Sequence, residues 1–155
     1  MTTTEPQTTT DAYLPAGLAT PAAQRDGLDA PYWEGARDGK LIVQRCNACR
    51  EFQWGPEWVC HHCHSFDLGW EEVEPRGNVY SWERIWHPVH PALTDACPYV
   101  VVLVELPQAG NIRMVGNLLG RPLDAVEIGS PVDAVFEHHA DADDPFTLVQ
   151  WRRSE

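Results

Sequence analysis

The chain has 155 residues, enough for one ordinary domain or for two small ones that share a core. Asp and Glu outnumber Lys and Arg by 23 to 11, for a net charge of −12, and the single lysine is Lys40. Binding to phosphate backbones depends on clustered cations, so a nucleic-acid partner is not expected. No apolar run of about eighteen residues or more is present, and the N-terminus lacks the pattern of a signal peptide. We therefore expect a cytoplasmic protein with no membrane partner.

Residues 1–28 differ in composition from the rest of the chain. They are rich in Thr, Ala and Pro, contain two TTT triplets, and show neither helical nor strand periodicity. We predict that residues 1–28 form a disordered tail, either solvated throughout or ordered on a partner.

A short helix is predicted from Asp29, a plausible N-cap, with Pro31 in the first turn and Gly39 as a plausible C-cap. The helix carries Tyr32 and Trp33. Residues 40–45, KLIVQR, then predict a strand that leads into the first cysteine pair.

The chain after Cys63 is rich in strand signals. A short helical turn is predicted over residues 122–129, just before the fourth of five strands. The pattern indicates a small closed or partly open barrel, with its strands in residues 78–86, 98–106, 112–119, 131–137 and 146–151.

Four of the five cysteines form two Cys-x2-Cys pairs that ten residues separate: Cys46, Cys49, Cys60 and Cys63. Two such turns supply the four thiolates of a tetrahedral zinc site, in the arrangement of a zinc ribbon. A reducing compartment disfavours disulfides. Four thiolates also hold iron, as in rubredoxin-type electron carriers, although the pairs of those chains are usually further apart.

Four cysteines close the coordination shell, whereas a catalytic zinc keeps one position open. The sequence therefore predicts one structural Zn²⁺ per chain, which stabilises a segment too short to build its own core. His61, His62 and His64 lie in and beside the second pair, and we interpret them as turn or surface residues rather than ligands.

No other cluster predicts an active site. Cys97 is interpreted as an idle thiol, and the pairs His87/His90 and His138/His139 as loop residues rather than metal or acid–base sites. We predict no catalytic residues, and the sequence leaves cofactor-binding residues unknown. The seven tryptophans exceed what so small a chain easily buries, so one or two are expected on a patch that faces a partner.

The order of these features resembles one family, the zinc-ribbon plus OB-fold acyl-CoA-associated proteins long catalogued as a domain of unknown function. The resemblance runs from about Ala30 to Trp151. It rests on the two cysteine pairs followed by three segments: GNVYS at 77–81, PYVVVLVEL at 98–106 and IGSPV at 128–132. The family often has Gly after the second cysteine and Pro within the second pair, where this chain has Arg50 and His61-His62. Neither departure removes a ligand.

The resemblance implies a mainly β fold with three parts: a short N-terminal helix, a rubredoxin-like zinc ribbon (with the helix, residues 29–74) and a C-terminal five-stranded OB-fold barrel (residues 75–155). It also implies a non-catalytic accessory subunit that binds and stabilises a thiolase-fold enzyme. That enzyme is a thiolase, a synthase or a steroid side-chain aldolase acting on acyl-CoA. A hetero-oligomer with two copies of each chain is the starting expectation. The alternative is an independent OB-fold module that binds acyl-CoA or, with less support, single-stranded nucleic acid.

Overall fold

The computed structural model describes residues 26–154, together with residues 13, 15–21, 23 and 24. Within this part the chain has one α-helix and eight strands in two sheets, and the predicted fold class is confirmed. The predicted tail, residues 1–28, lies partly outside the described residues. Of its described part, residues 15–21 lie beside the strands at Pro131–His139 and Phe146–Arg153, and the Tyr13 N–H donates to a Glu137 carboxylate oxygen at 3.2 Å. Disorder in the remainder stays a prediction.

The helix α1 spans Ala30–Arg37. Asp29 occupies the N-cap, but its carboxylate accepts from the Trp33 indole at 2.9 Å and from the Gln24 N–H at 2.8 Å rather than from the backbone of the helix. Gly39, with φ +71°, reverses the chain so that the Lys40 N–H returns to the Gly35 carbonyl at 2.8 Å. Gly35 is buried, and a Cβ there would overlap the Ile42 side chain. This close approach packs α1 onto the strand that carries the first cysteine.

The first sheet has three antiparallel strands in the order β2-β1-β3: β1 is Leu41–Cys46, β2 is Phe52–Gln53 and β3 is Leu68–Val73. The central strand, β1, ends at Cys46, so the sheet register places the first cysteine beside Leu68 of β3. The cysteine pairs therefore lie at one end of this sheet.

The second sheet has five antiparallel strands in the order β6-β5-β4-β7-β8. An isolated bridge between Leu118 and Trp151 joins its two edges and nearly closes the barrel. The strands are β4, Arg76–Ile85; β5, Tyr99–Leu106; β6, Ile112–Asn117; β7, Pro131–His139; and β8, Phe146–Arg153. This architecture has the strand number and the near-closure expected for the predicted barrel.

The helical turn predicted over residues 122–129 is wrong, because this segment has only non-helical turns. Backbone groups of this segment form hydrogen bonds with β4 instead of with one another in a helix. The Arg84 guanidinium donates to the carbonyls of Pro122 and Asp124, at 2.7 and 2.9 Å, and the Gly129 N–H donates to the Val79 carbonyl at 2.7 Å. These bonds hold the segment against β4 with a turn at each end.

One continuous apolar core joins the two sheets. Leu41 and Val43 of β1 are fully buried and belong to the same cluster as Val102 of β5 and Trp151 of β8. Because the ribbon's central strand is part of the barrel's core, the two predicted domains depend on each other for burial. None of the helices in the described residues is long and apolar enough to cross a bilayer.

Candidate metal centre

Two similar turns present the four cysteines. In the first, the Cys46 N–H donates to the Glu51 carbonyl and the Arg50 N–H donates to the Cys46 carbonyl, both at 2.9 Å. In the second, Cys60 makes the equivalent bonds with Ser65 and His64, also at 2.9 Å. Each turn is six residues long from its first cysteine to the last carbonyl, at Glu51 and Ser65, so the two Cys-x2-Cys segments fold alike.

Each turn needs a left-handed residue directly after its second cysteine. Arg50 has φ +67° and His64 has φ +59°, in the region where glycine is the least strained residue. Glycine, which the family resemblance leads us to expect after the second cysteine, would relieve this strain. Arg50 instead adds strain to the turn, while the four sulfurs still lie within 4.8 Å of one another.

The four sulfurs form one compact group, and all lie within 4.8 Å of one another. Cys46 Sγ is 3.6 Å from Cys63 Sγ, and Cys49 Sγ is 3.6 Å from Cys60 Sγ. A tetrahedral zinc with Zn–S bonds of about 2.3 Å separates its sulfurs by about 3.8 Å. The four thiols therefore fit a single zinc ion, and the chain can bind one.

Backbone donors make one of these thiols acidic. The N–H groups of Cys63 and then His62 donate to the Cys60 sulfur and lower the pKa of this thiol to about 6, against the opposing effect of desolvation. The pKa of Cys49 rises to about 12: the Glu51 N–H lowers it, but desolvation and the neighbouring sulfurs raise it further. Sulfurs this close cannot all ionise unaided, and a divalent cation supplies the missing charge.

Two buried glutamines, which the sequence analysis did not single out, hold the second turn against the first. Gln53 donates its side-chain N–H to Gln44 Oε1 at 2.5 Å. Gln44 also accepts from the Glu57 N–H and donates to the Glu57 carbonyl, each at 3.0 Å, while Gln53 Oε1 accepts from the His61 N–H at 3.2 Å. The only sequence signal was a polar residue at an inward position of an apolar strand, LIVQRC.

The histidines beside the cysteines lie apart from the sulfur cluster. His61, His62 and His64 are all exposed, and within the described residues the group with metal-binding geometry contains only the four cysteines. The interpretation of these histidines as turn and surface residues agrees with this placement, and His64 takes part through its backbone. Cys97 is partly buried and also lies outside the cluster.

Three of the four histidines in the other two pairs have structural partners, and His138 and His139 lie at the end of β7 rather than in a loop as predicted. His90 Nδ1 accepts a hydrogen bond from the Ala92 N–H at 3.2 Å and so caps a 3-10 turn. His138 bonds Thr147 at 2.9 Å across the β7–β8 hairpin, and His139 bonds Glu137 at 2.6 Å while its ring stacks on Phe146. The side chain of His90 stabilises a loop, and those of His138 and His139 stabilise the hairpin.

The tryptophans divide into a core residue, partly buried residues and exposed ones. Trp151 is fully buried at the barrel closure, where Gly116 leaves room for its indole. Trp58 and Trp86 are exposed, with exposed fractions of 58% and 65%. The remaining four, which pack between the elements, are Trp33, Trp54, Trp70 and Trp82.

A four-cysteine zinc ribbon followed by a nearly closed five-stranded barrel defines a zinc-ribbon and OB-fold protein. The family described as "ChsH2, rubredoxin-like zinc ribbon domain" matches residues 33–69, and "ChsH2, C-terminal OB-fold domain" matches residues 70–137. The chain belongs to this ChsH2 zinc-ribbon and OB-fold family.

A solved structure titled "Ltp2-ChsH2(DUF35) aldolase" contains a chain of the same fold, with a TM-score of 0.70 and 39% identity, and the match covers 86% of this chain and 98% of that one. A DUF35-family protein of unknown function from Sulfolobus solfataricus has a TM-score of 0.56 at 13% identity, over 81% of this chain and 84% of that one. The second similarity concerns the fold alone.

Two curated relatives are named as hydratase subunits. The "Probable enoyl-CoA hydratase alpha subunit" of Thermomonospora curvata is 44% identical over 112 residues, 72% of this chain and 33% of the relative. The "3-oxo-4,17-pregnadiene-20-carboxyl-CoA hydratase alpha subunit" of Mycobacterium tuberculosis is 29% identical over 150 residues, 97% of this chain and 45% of the relative. The chain thus spans less than half the length of either.

Proposed function

We propose that this chain is the non-catalytic accessory subunit of a thiolase-fold enzyme that acts on acyl-CoA substrates, of thiolase, synthase or steroid side-chain aldolase type. The observation that carries the proposal is the 39% identity over 98% of a chain from a structure whose title joins ChsH2 to a second component, Ltp2, in one aldolase. The pregnadiene carboxyl-CoA in the name of one relative supports a steroid substrate.

The closed metal centre supports the proposal that the catalytic groups belong to the partner subunit. Cys46, Cys49, Cys60 and Cys63 are proposed as the four ligands of one structural zinc, which leaves no open coordination position for substrate. The zinc holds the ends of β1 and the second turn together. The partner subunit then supplies the groups that react with the acyl-CoA, and this chain stabilises the partner and helps to shape its CoA-ester channel.

The hydratase names of the curated relatives suggest a second contact. Since the matched segment covers only 33% and 45% of those proteins, we do not assign hydratase chemistry to it. We propose instead that it bridges the thiolase-fold subunit to an upstream hydratase. The same proposal places the helix and zinc ribbon in residues 29–74 and the barrel in residues 75–155. It also includes a cytoplasmic location, which keeps the thiols reduced, and a complex with two copies of each chain.

The test is co-expression of this chain with the thiolase-fold protein expected from the same gene cluster, with an affinity tag on this chain alone. We expect a stoichiometric complex that carries one zinc per copy of this chain, as measured by native mass spectrometry and metal analysis. A zinc-loaded monomer that stays stable and does not retain the other protein at low or moderate salt would refute the proposal.

If the chain is such a monomer, the independent binding module is tested next. Titration with a CoA ester and with a labelled single-stranded oligonucleotide separates its two forms, because only nucleic-acid binding should fall steeply with salt. A coloured preparation that contains iron would instead identify a tetrathiolate electron carrier.

A further inference from the structure

Most of the exposed large hydrophobic side chains lie along one strand. The described residues include eight of them, and Trp58 and Phe66 belong to the ribbon while Val115 lies on β6. The other five lie on β4, on the loop after it or on the segment that runs beside it. We call these five the β4 ridge: Tyr80, Trp86, Val89, Leu123 and Ile128.

The ridge forms where β4 is not paired with β7. The two strands pair only at residues 76–78 of β4, and the segment before β7 lies along the rest. Val79 bonds the backbone of Gly129 and Ser130, and Arg84 bonds the carbonyls on either side of Leu123. From Tyr80 to Trp86 the ridge extends over six residues, or about 20 Å at the rise of an extended strand.

Arg84 holds the strand and the neighbouring segment of the ridge together within the chain itself. Its guanidinium lies 5.3 Å from the ring centre of Trp82 and 6.0 Å from that of Trp86, and its donors hold the backbone of residues 122–124. At the other end, the Arg113 guanidinium lies 3.6 Å from the Tyr80 ring. Side chains held in this way lose little conformational entropy on binding, and Trp, Tyr and Arg are the residues enriched at binding hot spots.

We propose that the β4 ridge is the surface on which the thiolase-fold subunit docks, with Trp86 inserted into an apolar recess of that subunit. This inference rests on the proposed function. Trp86, Leu123 and Ile128 have exposed fractions of 65%, 67% and 70%, so much apolar surface along β4 and its neighbouring segment is open to a partner. Monomeric soluble proteins rarely expose apolar patches beyond a few hundred Å² unless a partner covers them.

Charge favours a different chain over a second copy of this one. Glu83 and Glu127 are exposed beside the ridge, while Arg121 is already paired with Asp124 at 3.3 Å. Two copies, each with a net charge of −12, would also repel each other as they approach. A partner with Lys or Arg at the rim of its recess would therefore complement Glu83 and Glu127.

The experiment compares complexes purified by co-expression of the wild type, Trp86→Ala and Leu123→Ala with the same thiolase-fold protein. Dissociation is followed on dilution by mass photometry, so the chain need not be stable alone. We expect Trp86→Ala to raise the dissociation constant about 30-fold, as a hot-spot residue does. Phe66→Ala is the matched control: Phe66 is 79% exposed but lies on the ribbon, and its loss should change the constant less than about threefold.

The outcomes separate the two proposals. A wild-type complex that dissociates at the same concentration as the Trp86→Ala complex overturns the ridge and leaves the accessory-subunit proposal standing. Absence of any wild-type complex overturns both. If the chain alone forms a dimer that Trp86→Ala converts to a monomer, the occupant of the ridge is a second copy and the assignment to the partner subunit is wrong.

Discussion

Replacement of Cys46 by serine tests the metal centre most directly. Cys46 is fully buried at the end of β1, and its sulfur lies 3.6 Å from that of Cys63. A serine hydroxyl is a poor ligand for zinc compared with a thiolate. Since binding of structural zinc contributes about 10–16 kcal/mol in zinc-finger peptides, loss of one ligand should release the ion and unfold the two cysteine turns.

Loss of zinc should also destabilise the barrel, because β1 contributes to the core of both the ribbon and the barrel. Leu41 and Val43 are fully buried in the common core, and exposing each costs about 1.5–3 kcal/mol. Disorder of β1 thus removes roughly 3–6 kcal/mol from the folded state. For a chain of this size we expect the midpoint of thermal unfolding to fall by about 10–20 °C.

The assay combines zinc content per chain with thermal unfolding followed by near-ultraviolet circular dichroism. Cys97→Ser is the control, because Cys97 lies outside the cluster and should leave the zinc content at one per chain. A Cys46→Ser protein with one tightly bound zinc and an unchanged midpoint would refute the four-thiolate shell. A variant that assembles normally with its partner and loses only turnover would refute the structural role of the metal.

Three further substitutions probe how the site and barrel are held. Gln44→Ala leaves both Glu57 backbone groups without their partner, and should cost about 1–3 kcal/mol in denaturant unfolding and speed zinc loss to a chelator. His64→Gly removes left-handed strain and should raise stability by about 1 kcal/mol with zinc retained. Gly116→Ala places a Cβ 2.7 Å from Trp151 Cδ1 and should cost about 1–3 kcal/mol. An unchanged unfolding free energy would refute the corresponding packing argument.

The conformation of the cysteine turns shows what Arg50 costs at a position where the family resemblance leads us to expect glycine. A left-handed residue after the second cysteine is needed because the same pair of backbone bonds closes both turns. Arg50 tolerates this conformation and also places its guanidinium 3.4 Å from Glu71 of β3. The departure is thus a change in local strain, and the positions of the four sulfurs are unaffected.

The metal group and the order of the elements could be predicted from the sequence because both depend on local patterns. The spacing of Cys46, Cys49, Cys60 and Cys63 determines which atoms can share a tetrahedral ion, and β-branched runs such as residues 99–106 form strands wherever they pack. The short helix after Asp29 could be predicted from Pro31 in its first turn and Gly39 just beyond its end, although the Asp29 carboxylate does not bond the helix backbone.

Only the tertiary structure decided which distant groups compete for the same hydrogen bonds. The sequence of residues 122–129 by itself predicts a helical turn, but hydrogen bonds to Arg84 and Val79 of β4 hold this segment in a non-helical conformation. The Gln44–Gln53 pair and the β4 ridge arise in the same way, from elements far apart in the chain. Local propensity is worth a few tenths of a kcal/mol per residue, so a single buried hydrogen bond or a shared core outweighs it.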